Sequence, residues 1–94
     1  MSDSVNLVVP ADERFRGLGV EVGGRYVVAA GGSEADASAI VTALESAVGD
    51  VTTGAEAGAG VELAFRTPNG VVEVTVRCHG KSSVVTHPLP ATKG

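Results

Sequence analysis

The dipeptide Asn69-Gly70 constrains this chain more than any other feature. Before it, Val61, Leu63 and Phe65 alternate with Glu62, Ala64 and Arg66. After it, Val72, Val74 and Val76 alternate with Glu73, Thr75 and Arg77. A period of two puts each apolar set on one face of a strand. Asn-Gly accepts positive φ at both central positions of a turn, which is what a two-residue hairpin requires. The register follows from that turn. Arg66 falls opposite Glu73 on the outer face, and Leu63, Phe65, Val74 and Val76 form the inner one. Such a face needs covering by another element.

One covering helix is plain. Ser33-Glu34-Ala35-Asp36 reads as an N-cap with an acidic residue three positions on, close to a capping box. Ala37, Ile40, Leu44, Ala47, Val48 and Val51 follow at helical spacing. The helix is expected from about Glu34 to Val48 or slightly beyond. Val5-Asn6-Leu7-Val8-Val9 reads as a strand closed by Pro10. Ser83-Val84-Val85-Thr86 offers one more strand. Thr52 to Gly60 is small and glycine-rich and reads as a loop, and residues 88–94 read as a frayed tail.

Residues 12–30 support two readings. Phe15, Leu18, Val22, Tyr26 and Ala29 share one face of a helix. Leu18, Val20 and Val22, then Gly23-Gly24, then Tyr26 and Val28 make an equally regular hairpin. Gly17, Gly19, Gly23 and Gly24 each cost a helix about 1 kcal/mol relative to alanine, which favours the hairpin.

Composition removes several function classes. Formal net charge is −4, and the seven Lys and Arg are scattered, so no nucleic-acid partner driven by phosphate neutralisation is expected. A single cysteine, Cys78, excludes an intramolecular disulfide and a multi-cysteine metal site. The apolar runs fall far short of the roughly 20 residues that span a bilayer. The polar, acidic start lacks the features of a signal peptide. A cytoplasmic protein with no membrane partner is expected.

Two local patterns imitate functional sites. Gly80-Lys81-Ser82 resembles the end of a phosphate loop, but Thr75 stands where that loop needs its first glycine, and no helix follows. A turn is the expected reading. Cys78, His79 and His87 are potential metal ligands, yet adjacent residues on an extended chain point opposite ways. No metal and no catalytic Cys-His pair is expected.

Leu7-Val8-Val9-Pro10-Ala11-Asp12-Glu13-Arg14-Phe15 is similar to the opening of bacterial anti-sigma-factor kinases of the histidine-kinase-like (GHKL) ATPase family. Ala30-Gly31-Gly32-Ser33-Glu34-Ala35-Asp36-Ala37 is similar to that family's junction between its first two helices. The resemblance spans roughly residues 5–82 and implies that residues 12–30 are helical. The fold class expected is then α+β: a two-layer sandwich in the order β-α-α-β-β-β. A mostly antiparallel sheet of about four strands carries two helices on one face, all in a single domain over residues 1–94.

The resemblance also implies where a nucleotide would sit. The family's second helix carries Glu-Ala-x-x-Asn, the Glu acting as general base and the Asn holding magnesium. Here Ser46 stands at the Glu position and Asp50 at the Asn position, while Glu45 lies one residue early. The family's later Asp-x-Gly-x-Gly box becomes Cys78-His79-Gly80-Lys81-Ser82, and a thiol is a poor acceptor for an adenine amino group. The family's nucleotide lid has no expected counterpart through Gly94. The five degenerate positions Ser46, Asp50, Cys78, Gly80 and Ser82 therefore predict no bound cofactor and no catalytic residues. The function implied is non-catalytic protein binding in bacterial sigma-factor or partner-switching regulation. A sigma factor or an anti-anti-sigma protein is the expected partner, and a homodimer is a second expectation. The alternative is a diverged ATP-binding kinase or ATPase of the same superfamily.

Overall fold

A computed structural model describes residues 4–56 and 58–89, with only the backbone of Glu13, Phe15 and Arg16. The elements are β1 (Val5–Pro10), α1 (Glu13–Ala29), α2 (Glu34–Thr52), β2 (Gly60–Arg66), β3 (Val71–Cys78) and β4 (Lys81–Pro88). The four strands form one sheet in the order β1-β2-β3-β4, with every neighbouring pair antiparallel. Both helices cover the same face of the sheet, so the fold is an α+β two-layer sandwich.

The hairpin forms in the expected register, with Arg66 opposite Glu73 and Leu63 opposite Val76. The Arg66 Nε to Glu73 Oε1 distance is 3.3 Å. Asn69 adopts φ 52° and ψ 38° and Gly70 φ 78°, the two successive positive values that the dipeptide favours. A second two-residue turn joins β3 to β4. There Cys78 pairs with Lys81 across His79 (φ 52°) and Gly80 (φ 80°).

α2 begins on a complete capping box. The Asp36 amide donates to Ser33 Oγ at 3.2 Å, and the Ser33 amide donates to Asp36 Oδ2 at 2.9 Å. The helix runs to Thr52, one turn past Val48. Its buried face is Ile40, Leu44, Ala47, Val48 and Val51, as the apolar spacing predicts, with Thr52 beside them.

Residues 13–29 are helical and not a hairpin. The Asp12 carboxylate accepts from the Arg14 amide at 2.9 Å and caps the start. The end closes on Gly31 (φ 104°). The Gly32 amide donates to the Val27 carbonyl at 2.8 Å, and the Gly31 amide to that of Val28 at 3.0 Å. This pair of bonds satisfies carbonyls that the last turn leaves open.

The buried face of α1 is not the one that its apolar spacing predicts. Val20 and Val27 are buried together with Gly19 and Gly23, whereas Leu18 and Ala29 are exposed. Val22 and Tyr26 are half-buried against the core, and Phe15 falls outside the described side chains. The reason is steric. A Cβ on Gly19 would stand 2.9 Å from Leu63 Cδ1, and one on Gly23 would overlap Leu44 Cδ1. Glycine is the contact surface here, so counting large apolar residues misplaces the face.

Strand β4 is longer than Ser83–Thr86, and Pro88 belongs to it instead of to a tail. Leu89 is also held, its amide donating to the Gly70 carbonyl at 2.9 Å. Residues 90–94 of the expected tail lie outside the described residues. Among the described residues the core is mostly valine around the ring of Phe65, which meets Tyr26 at a centroid distance of 5.4 Å. Tyr26 then fixes α1 to the end of β2 through a 2.8 Å hydrogen bond between its hydroxyl and Thr67 Oγ1. None of the described helices is long and apolar enough to cross a membrane.

Candidate functional site

The five positions implied by the resemblance divide into two groups. Ser46 and Asp50 lie one turn apart on α2, and both are exposed. Cys78 ends β3 on the inner face and is 2% exposed, in line with Val72, Val74 and Val76. Gly80 sits in the β3–β4 turn, and Ser82 is exposed on β4. Cys78, Gly80 and Ser82 share the lining of a cavity of about 480 Å³ with Glu62, Arg77 and Lys81. Ser46 and Asp50 take no part in that lining.

Leu44, Val48 and Val51 of α2 and Val74, Val76 and Cys78 of β3 belong to one buried cluster. A thiol in this setting packs as a small hydrophobe.

The phosphate-loop lookalike is a hairpin turn. Gly80 supplies the positive φ, and β4 follows it where a phosphate loop has a helix. Lys81 is used elsewhere: its Nζ donates to the Thr53 carbonyl at 2.9 Å. That places a cation on the orphan carbonyls at the end of α2, a favourable position.

The three potential metal ligands are also separated. Cys78 is buried, and His79 is exposed in the turn. His87 pairs with Val72, six residues back along β3 from Cys78, or about 20 Å at the rise of a strand. Among the described residues, no group of three or more His, Cys, Asp and Glu is placed to hold a metal ion.

His87 has another partner. Its Nε2 lies 2.9 Å from Asp36 Oδ1, and both side chains are partly buried. The Asp36 carboxylate thus joins the start of α2 to the edge strand β4. Its pKa is held below the ordinary carboxylate value, first by the His87 hydrogen bond and then by the Ser33 amide. Sequence reading identified Asp36 as a cap residue and missed this contact. The 51 residues between the partners leave no local signal for it.

Among the described residues, exposed apolar groups gather on two surfaces. On the free face of the sheet, Val8 is 64% exposed and Val84 58% exposed, with Ala64 and Thr75 in the rows between them. On the helical layer, a groove of about 780 Å³ runs between α1 and α2. It is lined by Val20, Gly24 and Val28 on one side and by Ala37, Val41 and Glu45 on the other. No protein-family model matches the chain, and no curated protein matches it either.

Proposed function

We propose that this chain is a non-catalytic regulatory domain that binds a protein partner, in the manner of anti-sigma factors. The observation that carries the reading is the burial of Cys78, which stands in the apolar core at the position of the family's adenine-reading Asp. A nucleotide gripped as the resembled family grips one would need an accessible acceptor there, and a buried thiol is a poor one. A carboxylate, Asp50, does stand at the magnesium position, but one exposed carboxylate makes a weak magnesium site. The free sheet face is the surface we assign to the partner, because Val8 and Val84 leave large apolar groups in water beside Arg77 and Glu62. A sigma factor or an anti-anti-sigma protein from the same genome is the expected partner.

Isothermal titration tests this directly. The sigma factors and anti-anti-sigma proteins of the source genome are titrated into the protein with and without magnesium and ATP. One of them is expected to bind, at least tenfold more weakly to Val84→Glu, with no change when ATP is present. If none binds, the reading fails. If ATP itself binds and Asp50→Ala abolishes that binding, the chain is instead a diverged ATPase.

A further inference from the structure

The two edges of the sheet are built differently. In an antiparallel pair, every second residue turns its N–H and C=O to the neighbouring strand, and the residues between turn theirs away. The Leu89 amide donates to the Gly70 carbonyl, so along β4 it is Lys81, Ser83, Val85 and His87 that bond to β3. The main-chain groups of Ser82, Val84 and Thr86 therefore point to the free edge. In β1 the Ala11 amide donates to the Ala59 carbonyl, which turns Asn6, Val8 and Pro10 outward. Pro10 has no N–H to offer, so β1 presents two donors where β4 presents three.

Sheet edges are ordinarily blunted by charge, proline, a bulge or shortness. From Ser82 to Thr86, β4 carries none of these. Its register with β3 is unbroken from Val71–Pro88 to Cys78–Lys81, so no bulge twists the edge away. The basic side chains at its ends are engaged elsewhere. Lys81 Nζ donates to the Thr53 carbonyl at 2.9 Å, and His87 Nε2 lies 2.9 Å from Asp36 Oδ1. These contacts also tie β4 to both ends of α2, so the edge is held in position before anything binds to it. None of the described residues pairs with it.

We propose that β4 receives an extended segment of a partner protein as a fifth, antiparallel strand. Three donors and three acceptors repeat along the edge at about 7 Å, the two-residue step of a strand. A polypeptide in the same extended form matches that spacing. Its residues that bond to β4 lie beside the exposed side chains of Ser82, Val84 and Thr86, on the face away from the helices. The alternate residues lie under the flank of α2. Asp36 reaches β4 through His87, and Ala43 and Ala47 follow it by seven and eleven residues, on nearly the same side of the helix. Their methyl groups leave room for β-branched side chains, which would extend the surface begun by half-buried Val85. The segment is therefore β-branched and apolar on one face and polar on the other. This edge lies beyond the regulatory reading, since it requires neither a sigma factor nor an anti-anti-sigma protein.

The test is amide hydrogen exchange by NMR on the full chain. The probe is the end-blocked peptide Lys-Val-Thr-Val-Lys-Val-Thr, whose lysines keep the polar face outward. At about 1 mM peptide, exchange at Ser82, Val84 and Thr86 is expected to slow at least tenfold. Ser83, Val85 and His87 are expected to stay unchanged, because β3 already holds them. N-methylating the first threonine and second lysine of the peptide, whose amides face β4, is expected to abolish binding. N-methylating the first two valines, whose amides face away, is expected to leave it. Thr86→Pro removes one outward N–H and none that β3 uses. That variant is expected to keep the parent's circular dichroism and bind at least tenfold more weakly. The methylated peptides carry the test without any change to the protein. Absence of protection overturns the proposal, as does protection at Asn6 and Val8 instead. So do equal losses from both methylation patterns, or undiminished binding to a folded Thr86→Pro. Protection of the three amides without peptide, with a dimer in sedimentation equilibrium, would give the edge to a second copy and overturn it as well.

Discussion

α2 begins on a capping box, is rich in alanine, and has one glycine, Gly49, in nineteen residues; α1 has four glycines in seventeen. By intrinsic propensity alone, those four positions cost α1 about 4 kcal/mol relative to alanine. Both segments are nevertheless helical and cover the same sheet. α2 presents conventional side chains to the core, with Ile40, Leu44 and Val48 nearly or fully buried. α1 presents backbone at Gly19 and Gly23, into which Leu63 and Leu44 project. The difference teaches that a poor helix former can be the better-fitting one. The propensity lost at a glycine is offset when the neighbouring element fills the space that a side chain would have taken.

The comparison is broken most severely at the residue both helices share. Leu44→Ala is expected to destabilise by about 2–5 kcal/mol, read by chemical denaturation, because it empties the space between Gly23 and Phe65. Gly23→Ala is expected to cost about 1–3 kcal/mol by overpacking, despite the better propensity of alanine. In the Leu44→Ala background the same change should become neutral or stabilising. A cycle in which the two effects simply add would refute the claim that Leu44 and Gly23 occupy complementary space.

At the start of α2, Ser33→Ala removes the side-chain acceptor of the capping box. It is expected to cost about 1 kcal/mol. Gly49→Ala sharpens the contrast between the helices from the other side. Nothing stands within 4 Å of a Cβ there, so this glycine only weakens its helix. Its replacement is expected to stabilise by about 0.5–1 kcal/mol in the same denaturation assay.

The smallest effect concerns acid. The Asp36 carboxylate is held below its ordinary value in the folded chain, so the folded state favours its charged form. Its contribution to stability is present above the unfolded carboxylate value of about 3.9. It is lost as pH falls through the lower folded value. Asp36→Asn should therefore reduce stability near neutral pH, flatten the acid limb of the stability profile, and converge with the parent at the lowest pH. A variant whose acid limb keeps the parent's slope would show that Asp36 does not carry it.

Much of the fold was legible because its causes are local. The β2–β3 register followed from Asn69-Gly70 and two alternating runs, and α2 from Ser33, Asp36 and one apolar stripe. The helical state of α1 came only through the family resemblance, since residue pattern alone left a hairpin equally open. Its inward face was misassigned because Gly19 and Gly23 carry no apolar signal. The second turn, expected at Gly80-Lys81-Ser82, falls one residue earlier at His79-Gly80 because a non-glycine residue takes the first positive φ.

By itself, then, the sequence determined the hairpin register and the start and buried stripe of α2. Each of these rests on interactions within a turn of helix or between residues facing each other across a short loop. Tertiary structure decided which side of α1 turns inward, and it joined His87 to Asp36 and Lys81 to Thr53. It also left Ser46 and Asp50 exposed on α2 and buried Cys78 in the core. Those outcomes depend on the space left by residues far away in the chain, and no local pattern records that space.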